Sequence, residues 1–220
     1  MNGQAKGLFI TLEGGDGSGK TTVMQELEQA LEKHGVPFIS TREPGGIEIA
    51  EKIRDIILNP QHTAMDARTE ALLYAASRRQ HLAEKVEPSL ERGITVLCDR
   101  FLDSSLAYQG HARGLGIDEV LNINRFATKG RFPDLTFYLD IEPEAGLARI
   151  AAGDGREVNR LDMESLQFHR KVREGYLMIA EMYPQRIRII DASRSKEEVA
   201  AEIHSQLSAT LKNEFKKSDI

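Results

Sequence analysis

The chain has 220 residues, of which 40% are hydrophobic and 29% charged, the composition of an ordinary globular domain. One cysteine, Cys98, excludes an intramolecular disulfide, and no apolar run reaches the roughly 20 residues that a membrane-spanning helix needs. A net charge of −5 and the lack of a basic stripe argue against nucleic-acid binding. We therefore expect one domain over residues 1–220, located in the cytoplasm, with no nucleic-acid or membrane partner.

Short apolar runs alternate with amphipathic segments along the chain, which is typical of an α/β fold with a mainly parallel sheet. In chain order the pattern predicts strand 8–13, helix 21–34, strand 38–41, helix 47–58, a long helix from 66 or 69 to 90 with Pro88 near its end, strand 94–98, helix 118–128, strand 135–141, a helix through 149, helix 164–182, strand 187–190 and helix 196–211. The sequence thus predicts a five-stranded sheet flanked by helices.

The turn between the first strand and the first helix carries the strongest motif. It reads Gly14-Gly15-Asp16-Gly17-Ser18-Gly19-Lys20-Thr21, a full match to G-x-x-x-x-G-K-[ST]. Glycines let the backbone curl so that several N–H groups point at one phosphate, and the helix N-terminus adds partial positive charge. Lys20 supplies a cation for the β- and γ-phosphates, and Thr21 a hydroxyl for Mg²⁺. The motif predicts a nucleoside triphosphate site, which kinases, GTPases and ATPase motors share.

Two further clusters follow predicted strands at the carboxyl edge of the sheet, where open α/β folds bind ligands. Asp99 stands where a second carboxylate would organise Mg²⁺, and Arg100 suits a second phosphate-bearing substrate through a bidentate fork. Arg42 precedes a fixed turn at Pro44 and is expected to reach the same second phosphate. The alternative for these residues is an ordinary loop with surface ion pairs.

The segment from about 149 to 161 is polar and punctuated by glycines, and it contains Arg149, Arg156 and Arg160. We interpret it as a short lid whose arginines close over the triphosphate, with Gly153 and Gly155 as hinges. A solvated loop is the alternative for this segment.

Aromatic and polar side chains on segments near the same edge of the sheet are suited to binding a nucleobase, by stacking and by hydrogen bonds to its polar edge. They are Tyr74, Arg78, Ser105, Tyr108 and Gln109. Spacing alone leaves a packed core position for Tyr74 as the alternative.

Taken in order, these segments resemble bacterial thymidylate kinases. The resemblance runs from about residue 7 to 210 and rests on residues 9–22, 41–46, 68–78, 99–101, 103–110, 133–136 and 191–192. It implies a P-loop NTPase fold and a single kinase domain that transfers the ATP γ-phosphoryl group to dTMP. The products would be dTDP and ADP, in dTTP biosynthesis. It also implies Mg²⁺ as cofactor and a homodimer.

Carried over by position, the resemblance implies one set of residues for each nucleotide. The set for ATP and Mg²⁺ comprises Gly14, Gly15, Asp16, Gly17, Ser18, Gly19, Lys20, Thr21 and Thr22, with Arg149 and Arg160 in the lid, Asp191 and Ala192 near adenine, and Thr21 and Asp99 at the metal. The set for dTMP comprises Arg42 and Arg100 at the phosphate, Asp16 at the sugar 3′-hydroxyl, Tyr74 stacked on the base, Arg78, Ser105 and Gln109 at the thymine edge, Tyr108 against the sugar 2′ position, and Pro44.

The sequence departs from the family pattern at two places. Tyr74 stands at a stacking position that is more often Phe, so its hydroxyl needs a polar partner or water. The phosphate loop lacks the arginine that assists transfer in some members. That role would fall to the lid, with Arg156 as first choice and Arg149 and Arg160 as alternatives, so the implied catalytic residues are Lys20, Arg100 and Arg156.

Two other functions stay open on the sequence. One is a kinase for another nucleoside monophosphate or for a nucleoside. The other is a GTPase or ATPase switch that signals through a partner, although the N-K-x-D guanine motif is absent from the chain.

Overall fold

The computed structural model describes residues 6–152 and 160–218. Its strands are β1 Phe9–Gly14, β2 Phe38–Arg42, β3 Thr95–Asp99, β4 Leu135–Asp140 and β5 Ile187–Asp191. They form one sheet in the order β2-β3-β1-β4-β5, and every pairing is parallel. The predicted α/β fold with a parallel five-stranded sheet is therefore confirmed, and all five strands end at the same edge.

Helices flank the sheet on both faces. They are α1 Lys20–Lys33, α2 Glu48–Leu58, α3 Ala67–His81, α4 Glu87–Glu91, α5 Leu102–Ser105, α6 Ile117–Thr128, α7 Pro143–Ala151, α8 Leu166–Met182 and α9 Lys196–Ser218. Arg160–Met163 forms one 3₁₀ turn. Within the described ranges, no helix has both the length and the apolar character needed to cross a bilayer.

The central strand β1 is buried on both faces, and its successive side chains pack alternately into two separate hydrophobic clusters. Phe9 joins the cluster that contains α8 and the segment after β3. Ile10 and Leu12 join the cluster built with α1 and α9. Because side chains alternate along a strand, Glu13 has the same orientation as Phe9 and projects toward α8. This places a carboxylate inside the first core.

The long helix predicted to end at residue 90 is divided into three parts. Asp66 caps α3 by accepting hydrogen bonds from the backbone N–H groups of Arg68 and Thr69, as expected of an N-cap aspartate. The widened π-helical segment Leu82–Val86 then separates α3 from α4. Pro88 lies in the first turn of α4, directly after this widened segment. Pro88 therefore does not end the helical run, which continues to Glu91.

A second helical run was not predicted. It comprises α5 and the π-helical segment Leu106–Ala112, which directly follow Arg100 and Phe101 at the end of β3. Most of its residues are buried, so no polar face marks a helical period in the sequence. This run brings Ser105, Tyr108 and Gln109 to the carboxyl edge of the sheet.

Candidate active site

An open cleft of about 890 Å³ lies at the carboxyl edge of the sheet. The phosphate loop, the end of β3, the turn after β2 and the helices α2 and α3 form its walls. The predicted site residues that line it are Asp16, Gly17, Gly19, Lys20, Thr21, Arg42, Pro44, Tyr74, Arg78, Asp99, Arg100, Ser105, Tyr108, Gln109 and Arg149. All nine residues implied for dTMP are in this set.

The other predicted residues that fall within the described ranges do not line the cleft. Those of the phosphate loop and α1 are Gly14, Gly15, Ser18 and Thr22. Asp191 and Ala192 lie at the end of β5, and Arg149 Nη1 donates a hydrogen bond to the Ala192 carbonyl at 3.0 Å. Arg160 is buried elsewhere, and Arg156 lies outside the described residues, as do Gly153 and Gly155.

Lys20 folds back over the phosphate loop. Its Nζ donates hydrogen bonds to the carbonyls of Gly14 at 3.1 Å and Gly15 at 2.9 Å. Gly19, with φ +91°, turns the chain into α1 so that the first N–H groups of the helix point at the cleft. Burial, and secondly the neighbouring charge of Arg100, lowers the pKa of Lys20 to about 8, although three nearby carboxylates act to raise it. An anionic phosphate at this position would hold Lys20 in its charged form.

The phosphate loop packs directly on α7. Gly17 has φ +76°, and a Cβ built there would lie 2.0 Å from the carbonyl oxygen of Gly146. A Cβ at Gly146 would lie 2.4 Å from the carbonyl oxygen of Asp16. Real Cβ atoms do not approach backbone this closely, so both positions require glycine. The loop and the helix that leads toward the predicted lid are therefore in backbone contact.

Thr21 and Asp99 provide ligands that suit Mg²⁺. Asp99 Oδ1 is buried and has no hydrogen-bond partner among the described residues, although the carboxylate lines the cleft. Residues 6–152 and 160–218 contain no cluster of three or more His, Cys, Asp or Glu side chains suited to a metal. Magnesium typically uses one or two protein ligands together with phosphate oxygens and water. Thr21 and Asp99 therefore fit a Mg²⁺ that is held jointly with a triphosphate.

Arg100 is fixed at the junction of the phosphate loop and β3. Its Nη1 donates to the Gly14 carbonyl at 2.9 Å, and its Nη2 donates to Asp16 Oδ1 at 3.0 Å. Burial alone would lower the pKa of Arg100, but Tyr108, Tyr176 and Asp16 together raise it well above its usual value. The guanidinium therefore stays charged and ready for an anion.

A further arginine, which was not predicted as a site residue, reaches the turn after β2 from α2. Arg54 of α2 lines the cleft, and its Nη1 donates to the Pro44 carbonyl at 3.0 Å. Arg42 Nη1 donates to the same carbonyl at 3.1 Å, and Glu51 also binds Arg42. Burial, and then the charge of Arg42, lowers the pKa of Arg54. The only signal for Arg54 in the sequence was a basic residue among the apolar positions of α2.

Arg78 is almost completely buried at the deep end of the cleft. Its Nε donates to Glu43 at 2.8 Å, Nη1 donates to Ser105 at 3.1 Å and to Asn124, and Nη2 donates to the Phe101 carbonyl at 3.0 Å. A guanidinium has five N–H groups. Acceptors within the described residues occupy four of them, which leaves one Nη2 hydrogen for a ligand in the cleft. Glu43 and Asn124 were not predicted as site residues.

Glu70, which was also not predicted as a site residue, connects the wall of the cleft with the end of the predicted lid. Its carboxylate accepts hydrogen bonds from Gln109 Nε2 at 2.7 Å and from Arg160 Nη2 at 2.5 Å. Burial, and then Glu70, raises the pKa of Tyr74, and burial raises the pKa of Tyr108 to about 12. Both phenols therefore keep their protons at neutral pH and remain able to donate.

Comparison with known proteins agrees with this arrangement. A family model described as Thymidylate kinase matches residues 12–203. A protein named Thymidylate kinase from Bacillus velezensis is 61% identical over 206 residues, which cover 94% of this chain and 97% of that protein. One of the same name from Clostridium novyi is 62% identical over 198 residues, which cover 90% and 97%. A third, from Geobacillus sp., is 63% identical over 196 residues, which cover 89% and 93%. With its P-loop NTPase fold and nucleotide cleft, the chain belongs to the thymidylate kinase family.

Proposed function

We propose that the protein transfers the γ-phosphoryl group of ATP to dTMP, giving dTDP and ADP, in dTTP biosynthesis. One observation carries the proposal. A single cleft joins Lys20 of the phosphate loop to two arginines suited to a second phosphate, Arg42 and Arg100, and is also lined by Tyr74 and Arg78. A GTPase or ATPase switch needs no such second anion site, and membership of the family supports the kinase.

The mechanism follows from the charges that line the cleft. Two anionic substrates must be held in line although they repel each other, and Lys20, Arg42, Arg54, Arg100 and Arg149 all face that space. Phosphoryl transfer requires mainly positioning and charge stabilisation, which fixed cations supply without reorganising. The attacking oxygen belongs to the dTMP phosphate and is already anionic. No general base is needed, so Lys20 and Arg100 act as electrostatic catalysts.

A metal and the predicted lid complete the proposed site. Thr21 and Asp99 would hold a Mg²⁺ ion, whose positive charge would help to neutralise the charge that develops on the phosphates. Arg149 lies at the start of the lid segment and Arg160 at its end, where Glu70 binds it. We assign the transfer-assisting arginine to Arg156, between them, within a single kinase domain over residues 1–220.

Selectivity for dTMP would come from the deep end of the cleft. Tyr74 would stack on the base, and the remaining Nη2 hydrogen of Arg78 would bind its edge, with Ser105 and Gln109 beside it. Tyr108 would lie against the sugar 2′ position and so disfavour ribonucleotides, and Asp16 would bind the 3′-hydroxyl. These assignments are supported by the position of each side chain along one cleft.

A homodimer is supported by apolar side chains exposed on three helices that pack side by side, α2, α3 and α6. Phe126 of α6 is 89% exposed and Leu72 of α3 is 56% exposed, and Ile49 and Ile56 of α2 are also exposed. Large exposed apolar side chains grouped on neighbouring elements are typical of an interface. We propose that these helices join two copies, and that the dimer works in the cytoplasm, where ATP is plentiful.

The decisive experiment is coupled ADP release with Mg²⁺-ATP and each of dTMP, dUMP, dCMP, dGMP and thymidine in turn, with dTDP identified directly. We expect the highest kcat/KM with dTMP. Preference for another monophosphate would keep the kinase chemistry and reject the base pocket. ADP release without any acceptor would favour the ATPase or GTPase switch instead.

A further inference from the structure

Glu13 is a buried carboxylate that the mechanism above does not use. It belongs to β1, is fully buried and does not line the cleft. Its Oε1 accepts a hydrogen bond from the backbone N–H of Phe101 at 2.8 Å. Its Oε2 accepts from the hydroxyls of Ser104 at 2.5 Å and Tyr176 at 2.8 Å. Three donors in a low-dielectric interior fix this carboxylate firmly.

The backbone contact of Glu13 acts on Arg100. Arg100 has φ +67°, a left-handed conformation that a residue with a side chain keeps only where its surroundings impose it. The N–H of Arg100 donates to the Leu12 carbonyl at 2.8 Å, and the next N–H, that of Phe101, donates to Glu13. The backbone N–H groups of Arg100 and Phe101 therefore both donate to β1, the first to a backbone carbonyl and the second to the Glu13 side chain.

The second contact of Glu13 acts on the guanidinium of the same residue. Tyr176 of α8 accepts a hydrogen bond from Arg100 Nη1 at 3.4 Å, while its own hydroxyl proton goes to Glu13. The Ser104 oxygen lies 2.8 Å from the Tyr176 oxygen. Glu13 thus reaches Arg100 from two directions, through the backbone and through Tyr176.

The charge of Glu13 decides the orientation of these hydroxyl groups. Ser104 and Tyr176 each carry a single hydroxyl proton, and an ionised carboxylate only accepts hydrogen bonds. While Glu13 is ionised, both protons therefore point at it, so the lone pairs of Tyr176 face Arg100. A donor in place of Oε2 would turn the Tyr176 proton away from Glu13 and toward the cation.

We propose that Glu13 is a positioning residue for the phosphate of the nucleoside monophosphate, because it fixes both the backbone and the guanidinium of Arg100. The inference rests on the proposed role of Arg100 in binding that phosphate. It has a specific consequence: Glu13 and Tyr176 contribute much more to the affinity for dTMP than to the affinity for thymidine, which has the same base and sugar without the phosphate.

The test compares Glu13→Gln and Tyr176→Phe with a matched control in the full chain. Tyr176→Phe removes only the hydroxyl and keeps the ring, which stacks on Tyr138 with centroids 4.8 Å apart. Tyr138→Phe is the control, because its hydroxyl donates to Asp140 and not to this network. The dissociation constants for dTMP and thymidine are measured by titration calorimetry, and KM and kcat by dTDP formation.

We expect Glu13→Gln and Tyr176→Phe to weaken dTMP binding about tenfold, to raise its KM to match, and to change thymidine binding by less than about twofold. Tyr138→Phe should leave both constants unchanged. Equal losses for dTMP and thymidine would mean a merely structural role and overturn the inference, as would no loss for either. Tyr176→Phe keeps the test decisive if Glu13→Gln does not fold. Failure of the wild type to form dTDP would reject the proposed function separately, since the two dissociation constants are measured without turnover.

Discussion

Arg78 Nε donates a hydrogen bond to Glu43 Oε2 at 2.8 Å, and neither side chain is more than 3% exposed. The other carboxylate oxygen of Glu43 lies 2.9 Å from Nδ1 of the buried His81, whose Nε2 lies 2.8 Å from the Thr41 hydroxyl. The arginine proposed to bind the base is thus anchored, through one carboxylate, to the turn after β2. Arg78 is therefore joined, through Glu43 and His81, in one buried polar network that reaches Thr41 at the end of β2.

Replacing Glu43 with Ala should be strongly destabilising, because it leaves the guanidinium of Arg78 buried without its counter-charge. We expect a loss of about 3–5 kcal/mol in the free energy of unfolding, measured by urea denaturation. Glu48→Ala is the control, since Glu48 pairs with Lys52 at the surface and its loss should cost less than about 1 kcal/mol. Similar losses for the two variants would contradict the buried pair.

Replacing Lys20 with Ala should lower kcat by about 10²–10³-fold, because a fixed cation at the transferred phosphoryl group is lost. ADP release under saturating Mg²⁺-ATP measures the effect, and circular dichroism checks that the fold is kept. Lys33→Ala, at the other end of α1, removes the same charge away from the cleft and should leave turnover unchanged. Wild-type turnover by Lys20→Ala would reject the phosphate-loop assignment.

Glu13 should make stability depend on pH. Burial, and then the charge of Asp103, raises the pKa of Glu13 from 4.5 to about 7. Between these values the folded state holds a proton that the unfolded state has released, so the contribution of Glu13 to the free energy of unfolding falls as pH rises from 4.5 to 7. Urea denaturation across this window should show the fall in the wild type and a shallower one in Glu13→Gln. Parallel curves for the two proteins would contradict the raised pKa.

Phe126→Asp should convert the proposed dimer into a monomer, because an aspartate at the interface would have to be desolvated without a partner. Phe126 is 89% exposed in the single chain, so the fold itself should lose little stability. Sedimentation velocity measures the oligomeric state. Met182→Asp, on the exposed surface of α8, should leave the dimer intact. Dissociation by both variants, or a monomeric wild type, would rule out this interface.

Much of the fold was predictable because its signals are local. The apolar runs 8–13 and 94–98 predicted strands within one residue of β1 and β3. The phosphate loop was also predictable, since its motif is contiguous and the following helix orients Lys20. The run from Leu102 to Ala112 was missed because its residues are buried on most sides, so the alternation of polar and apolar faces that marks an amphipathic helix does not occur.

The supporting parts of the site could not be predicted, because each depends on residues that only the fold brings together. Glu13 and Tyr176 are 163 residues apart in the chain, and Glu70 and Arg160 are 90 apart. Nothing in the local sequence of a carboxylate reveals which distant donors it will meet. Motifs in a single sequence therefore identify side chains that line the cleft, but not the distant side chains that hold them in place.

The contact between Gly17 and Gly146 has a consequence for how the phosphate loop keeps its shape. A single methyl group at either residue would act as a wedge that lifts the phosphate loop off α7. Backbone atoms of α7 at Gly146 thus help to set the curvature of the phosphate loop. Arg149 lies in the last turn of α7, so the helix whose backbone contacts the phosphate loop also carries one of the predicted lid arginines.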